Sequence, residues 1–323
     1  MHHRFAIILF VLGIAAPGLV FAPGALAKEC FVFGGGPAGG TFQVLAEAIQ
    51  NYKAVKENPE FIVQAQTSFD SIENLRQTNQ GRMQFSTVYS GEVWQGRQGM
   101  LPKDNRKYEA VLAVAYLYGA PAQLIIRRGS GITSVKDLVG KRVGVGSTGF
   151  PAFVNCERFF KFLGIWNKIE RKTLGYNDAA AAFSRNQLDA FWLFTAFPSS
   201  AVVAAAQTND IDLVDLSTDA SASGYFDKYR YFLRLTIPAG TYRGVDRAVG
   251  TFQDSVLWVA NAKVPDEVVY KLLNLIFSDD GLAYLVSRKK TFKEMSITGG
   301  TTGIVTPMHP GAIRFWKENG VLR

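Results

Sequence analysis

The chain has 323 residues, of which 48% are hydrophobic and 19% charged, with a formal net charge of +8, three histidines and two cysteines. Its lysines and arginines are scattered and the longest basic run is Arg288-Lys289-Lys290, so the positive balance describes an ordinary charged surface and excludes a nucleic-acid interface. Beyond residue 27 only His309 remains, which excludes His-x-x-x-His metal sites. A Ser-His-Asp hydrolase would have to use His309, and Gly146-Ser147-Thr148-Gly149 lacks the Gly-x-Ser-x-Gly elbow. No catalytic residue, metal ligand or cofactor is expected, and the chain reads as a protein other than an enzyme.

Residues 1–27 read as a secretory signal. His2, His3 and Arg4 precede an apolar stretch from Phe5 to Val20, and Ala25-Leu26-Ala27 supplies a small-x-small cleavage site before Lys28. No later segment offers the roughly 20 uncharged apolar residues a membrane helix needs. The expected address is the periplasm. The chain beyond the signal is long enough for two lobes, each with its own core.

Cys30 to Phe33 reads as a strand, Gly34-Gly-Gly-Pro-Ala-Gly-Gly40 as a turn, and Phe42, Leu45, Ile49 and Tyr52 as one face of the next helix. Glycines let the backbone approach a ligand, and the free N–H groups at a helix start attract an oxygen-rich group, so this turn is a candidate site. Gly34-x-Gly36-x-x-Gly39 also matches the dinucleotide fingerprint, which keeps a secreted flavin or nicotinamide oxidoreductase as the alternative. Against it, the next strand-like run, Phe61–Gln66, ends in glutamines where an acidic residue should hold the ribose. No twin-arginine pair marks export of a folded, cofactor-loaded chain. Cys30 and Cys156 are read as unpaired buried thiols.

Asp70-Ser-Ile-Glu73 is a capping box that starts a helix with Ile72 and Leu75 inward, and Met83 to Val88 is a third strand leading to a polar turn at Tyr89-Ser90-Gly91. Val111 to Leu117 is a buried strand ending in a turn at Tyr118-Gly-Ala-Pro121, and Gln123 to Ile126 is a further strand that crosses into the second lobe. There, Ser147-Thr-Gly-Phe150 is a second polar glycine turn before a helix at 151–163. Strands at Arg171–Gly175 and Leu188–Phe194 flank a helix at 178–185, and Phe191 and Trp192 read as core, with Phe194 at the strand end able to reach a cleft. Thr195-Ala-Phe-Pro198 starts the next helix, Ile211–Leu216 is a strand, and Ser217 to Gly224 reads as loop. Phe232–Ile237 returns the chain to the first lobe, Pro238 to Tyr242 lies near the crossing, and Ser255–Ala260 is another strand. Two helices begin at Pro265 and Asp279, and a last one starts at His309-Pro310 with Ile313 and Trp316 inward. Recurrent strand, turn and helix argue for βα units and a largely parallel sheet, with ligand beyond the strand ends.

Six stretches in order resemble the TAXI family of solute receptors, the extracytoplasmic subunits of one branch of the TRAP transporters. They are Gly39-Gly-Thr-Phe42, Ser71-Ile-Glu-Asn-Leu75, Asp137-Leu-Val-Gly-Lys-Arg-Val143, Leu188-Asp-Ala190, Ile237-Pro-Ala-Gly-Thr-Tyr242 and Pro307-Met-His-Pro-Gly-Ala312. The resemblance implies an α/β, two-lobed fold like that of type II periplasmic binding proteins, each lobe a mainly parallel sheet flanked by helices, with a ligand cleft between them. Lobe 1 would comprise 28–122 and 239–323, and lobe 2 would comprise 123–238. It implies a monomer that captures a small organic solute, of the carboxylate or amino-acid class, and delivers it to an integral membrane permease; presentation to a membrane sensor is the variant reading.

Motif matching implies Gly40, Thr41, Phe42, Ser71, Tyr89 and Ser90 on one wall and Thr148, Gly149, Phe150, Thr195 and Pro198 on the other. Tyr118 and Tyr242 complete the candidate set. The chain departs from the family pattern at Gln43, Asp70, Gln84, Tyr89-Ser90 and Ala196. At position 70 the family has glycine. A carboxylate there, beside a helix start, either caps that helix or disfavours an anionic ligand group.

Overall fold

The computed structural model describes residues 28–101 and 104–323; the signal-peptide expectation for 1–27 lies outside them. The chain runs through β1 (Glu29–Gly34), α1 (Thr41–Asn51), α2 (Lys53–Lys56), β2 (Phe61–Gln66), α3 (Ser71–Asn79), β3 (Phe85–Tyr89) and α4 (Ser90–Gln98) before the long β4 (Val111–Arg127). Then come β5 (Arg142–Gly144), α5 (Pro151–Phe162), β6 (Glu170–Lys172), α6 (Tyr176–Ser184), β7 (Ala190–Phe194), α7 (Ser200–Thr208), β8 (Ile211–Leu213), α8 (Leu216–Ala222), α9 (Tyr225–Lys228) and β9 (Leu233–Ile237). The long β10 (Val249–Asn261) and helices α10 (Asp266–Ile276), α11 (Asp279–Arg288) and α12 (Pro310–Glu318) complete it.

The strands form one curled sheet in the order β2-β1-β3-β10-β4-β7-β5-β6, with β9 on β10 and β8 on β4. At one end β1 lies parallel to β2 and β3, and at the other β5 lies parallel to β6 and β7. Only β4 and β10 serve both ends. β4 pairs with β10 up to Pro121, opposite Gln253, and from Ala122 onward with β7. The result is a two-lobed α/β fold whose described residues gather into four apolar clusters, two of them large. One gathers Phe33, Leu45, Phe85, Trp258, Leu272 and Trp316, the other Phe159, Phe160, Trp192, Tyr225 and Phe252. Tyr89 packs against both.

Local sequence explains most element ends. Asp70 Oδ1 accepts from Glu73 N at 2.7 Å, and Glu73 Oε2 accepts from Phe69 N at 2.6 Å, which starts α3; such a cap contributes about 1 kcal/mol. His309 caps α12 through Gly311 N, with its other ring nitrogen 3.1 Å from the Val264 carbonyl. In the same helix Trp316 is fully buried and donates to the Val114 carbonyl at 2.8 Å, whereas Ile313 is half-buried.

Several sequence expectations are corrected. The turn at Tyr118–Pro121 is absent: β4 continues straight through. Gly119 there makes room for a neighbour, because a Cβ on it would stand 1.9 Å from Gln253 Oε1. Pro121, with no N–H to give, contributes its carbonyl to Thr195 N at 3.0 Å. Phe232–Ile237 pairs only with the first half of β10, and β10 itself makes the return. Ser217–Gly224 is largely helix, since Asp215 accepts from Thr218 N at 2.9 Å and caps α8. Tyr89 is the N-cap of α4, so Ser90 and Gly91 are helical, and α7 begins only at Ser200. Cys156 is buried but Cys30 is exposed, because β1 starts at the rim of the sheet with its first two residues open.

Candidate functional site

β1, β3, β5 and β7 all end toward the space between the lobes, where the topology changes direction, the usual ligand crevice of an open α/β sheet. Two adjoining cavities lie there. The outer one, about 350 Å³, is lined by Tyr89, Ser147, Phe150, Pro151, Ala152, Gly175, Tyr176, Phe194 and Thr195. The inner one, about 170 Å³, is lined by Asp70, Ser71, Ile72, Tyr89, Glu92, Gln95, Leu101, Gly149, Pro151, Val154, Asn155, Arg158 and Asp254. Tyr89 and Pro151 belong to both and form the neck.

The outer cavity is aromatic. Tyr89 lies 5.5 Å from Phe42 and 6.5 Å from Phe194, ring centre to ring centre, and Phe42 in turn lies 6.4 Å from Tyr118. Tyr176 donates to the Phe194 carbonyl at 3.0 Å, which fixes the end of β7. Burial pushes the Tyr176 phenol up to about 12 and those of Tyr89 and Tyr118 well above their ordinary value, so all three remain neutral hydrogen-bonding rings.

The inner cavity, though mostly apolar in surface, holds the charged groups Asp70, Glu92, Arg158 and Asp254. Glu92 Oε1 accepts from Ser71 Oγ at 2.9 Å and Oε2 from Tyr89 N at 3.4 Å. Asp254, 2% exposed, accepts from Gly91 N at 3.1 Å. Enclosure by protein pushes Glu92 up to about 7 and Asp254 up to about 8; the Ser71 and Gly91 hydrogen bonds oppose the shift, and nearby acids, Asp70 for Glu92 and Glu92 for Asp254, reinforce it. Facing them from α5, Arg158 donates to Asn155 Oδ1 at 3.0 Å and to Gln95 Oε1 at 3.3 Å. Among the described residues no cation lies within salt-bridge distance of Glu92 or Asp254.

Of the residues singled out from sequence, Asp70, Ser71, Tyr89 and Gly149 meet at the inner cavity and Tyr89, Phe150 and Thr195 at the outer one. Asp70 both caps α3 and lines the inner cavity. Gly40, Thr41 and Phe42 open α1 behind Tyr89, and Tyr118 is buried against Phe42 and Phe292. Thr148 and Pro198 lie outside both cavities, Thr148 exposed to solvent. Ser90 is buried and donates to the Gly303 carbonyl at 2.6 Å. Tyr242 is buried too, donating to Gln123 Oε1 at 2.5 Å and accepting from Ser199 N at 2.9 Å, so it props the segment bearing Thr195 from behind.

Glu92, Gln95, Arg158 and Asp254 escaped the sequence reading. Two signals were present. Pro151, Val154, Asn155 and Arg158 follow the i, i+3, i+4, i+7 spacing of one helix face, and Asp254 is a lone acid inside an apolar strand. The glycine turn that suggested a dinucleotide is occupied by the protein itself. Gln43 Oε1 accepts from Gly36 N at 3.3 Å and stands 2.4 Å from where a Cβ of Gly35 would be, and Asn74 and Ser68 both bind the Gly35 carbonyl. A pyrophosphate would find the backbone of Gly35 and Gly36 already taken. Among the described residues no group of three or more His, Cys, Asp or Glu is arranged to hold a metal ion, and no helix is long and apolar enough to cross a membrane.

The architecture is similar to that of a TctC solute binding protein from Polaromonas, at a TM-score of 0.50 and 17% identity over 83% of this chain and 87% of that one, a likeness of fold. The periplasmic aliphatic sulphonate binding protein SsuA from Escherichia coli aligns at a TM-score of 0.47 and 13% identity over 91% of this chain and 84% of that one. The model of the NMT1-like family matches residues 33–320, nearly the whole described chain, and the protein belongs to that family.

Proposed function

We propose that the protein is a periplasmic receptor that captures one small organic solute, of the carboxylate or amino-acid class, between its lobes and delivers it to an integral membrane permease of the TRAP type. The observation that carries this reading is the pair of joined cavities at the ends of β1, β3, β5 and β7, both mainly apolar, the outer one aromatic and the inner one holding a few charged side chains, the composition of a small-molecule site. In this reading 28–122 with 239–323 forms one wall and 123–238 the other. β4 and β10, the two strands common to both, are where the lobes bend as the cleft closes. The aromatic ring set receives the solute's carbon skeleton, and the inner polar groups select its head. The fold shared with the TctC solute binding protein agrees with such a role. The protein works as a monomer that docks on the permease when closed.

The test is a thermal-shift screen on protein that has been unfolded and refolded to remove carried-over solute. A ligand that binds only the folded state raises its melting temperature by mass action, by about 2.7 kcal/mol of added stability at a hundred times Kd. A saturable shift with a small carboxylate or amino acid supports the receptor. A visible flavin band in the purified protein, or a shift with dinucleotides alone, would overturn it.

A further inference from the structure

Resting on the receptor reading, we infer that the inner cavity is a subsite for a zwitterion: Glu92 and Asp254 receive a protonated amine of the solute while Arg158, on the facing wall, receives its carboxylate. Burying two carboxylates close together is costly unless a cation joins them. Here, among the described residues, no cation lies within salt-bridge distance of half-buried Glu92 or buried Asp254. Arg158 is turned to Asn155 and Gln95, and uses two of the five N–H donors of a guanidinium. Neither acid has a salt-bridge partner among the described residues, yet both line the same cavity as Arg158. The polarity continues outward: Arg158 also borders a shelf carrying Lys161, Lys228 and Tyr229, where Lys161 is paired with Glu157 at 2.9 Å. Acids therefore stand on the α4 and β10 side and cations on the α5 side, which fixes the direction in which a dipolar molecule enters.

The groups facing the two acids set the pH dependence. Glu92 meets Asp70 and Ser71 from α3, Tyr89 at its own helix start, Arg158 from α5 and Asp254 from β10, and Asp254 also meets the phenols of Tyr225 and Tyr231. Arg158 is the one cation among them. An ammonium binding to the ionised acids lowers their proton affinity, so binding near neutral pH expels protons and tightens as the acids ionise.

The experiment uses matched probes that differ only in the amine, alanine with propionate, 4-aminobutyrate with butyrate and glutamate with glutarate, alongside the other common amino acids, on the refolded wild type. Titration calorimetry in buffers of different ionisation enthalpy reads affinity and protons together. The amine-bearing partner of at least one pair is expected to bind about tenfold tighter or more. Its affinity should rise between about pH 6 and about pH 8.5 with release of about one proton. In Glu92→Gln and Asp254→Asn, which keep shape and hydrogen bonding, the preference and the proton release are expected to collapse. Wild-type pH dependence stands alone if a variant does not fold. Carboxylate binding with no pair in which the amine-bearing partner is tighter, or amine-bearing partners that bind without proton release, overturns the zwitterion subsite and leaves the receptor intact. Failure of every carboxylate and amino acid to bind overturns both.

Discussion

Asp254 Oδ1 accepts a hydrogen bond from the N–H of Gly91 at 3.1 Å, tying the middle of β10, opposite Ala120 of β4, to the first turn of α4. The bond joins β10, one of the two strands shared by the lobes, to the helix that carries Glu92. Asp254 and Glu92 have folded pKa values raised to about 8 and about 7, above the ordinary value of about 4. The stability they contribute is therefore fully present below about pH 4 and is lost as pH rises through about 7 and about 8. The ligand-free protein is expected to melt at progressively lower temperature between about pH 4 and about pH 8, with no further fall above that, and Asp254→Asn to flatten that limb. Calorimetric melting across that range checks it; an unchanged slope in the variant would remove Asp254 as the cause.

Gly91 is a helix residue at which alanine is expected to harm the protein, although alanine is the better helix former. A Cβ there would stand 2.5 Å from Tyr231 Cε2 and 2.7 Å from Asp254 Oδ2. Gly91→Ala should cost about 1–3 kcal/mol through overpacking, read as a lower urea midpoint, and should weaken solute binding by displacing Asp254. A variant as stable as wild type would show that the contact relaxes freely.

Tyr242 discriminates support from direct contact. Its hydroxyl joins Gln123 Oε1 and Ser199 N, and Gln123 Nε2 donates to the Thr195 carbonyl at 2.8 Å. Tyr242→Phe leaves these buried groups without a partner and should cost about 1–3 kcal/mol of stability, with affinity falling only through the loosened Thr195. Loss of binding at unchanged stability would make Tyr242 a ligand contact instead.

Asp70→Asn keeps a capping side chain on α3 but removes a charge from the inner cavity. A like charge about 4 Å from a ligand carboxylate costs roughly 4 kcal/mol at an effective dielectric near 20, so the variant should bind dicarboxylates far better than wild type, with zwitterions less affected. Equal dicarboxylate affinity in the two proteins, measured by calorimetry, would reduce Asp70 to a cap.

The βα rhythm, the helix starts at Asp70, Pro151 and Pro310, and the two glycine-bearing turns were legible from the chain before any packing was known. Each of these depends on local chemistry: a capping side chain, a proline at a first turn, an apolar run of the right period. The same reading singled out Tyr89, Asp70, Phe150 and Thr195, which the structure brings to the two cavities, because turns at the ends of parallel strands converge whatever the detailed packing. That Tyr118–Pro121 is strand emerged only from the assembled fold, since Gly119 fits against the Gln253 side chain of a distant strand. Glu92, Arg158 and Asp254 likewise came together only there, being far apart in the chain and ordinary one by one. Their chemistry comes from mutual burial around one cavity, and burial depends on the whole fold and not on any stretch of sequence.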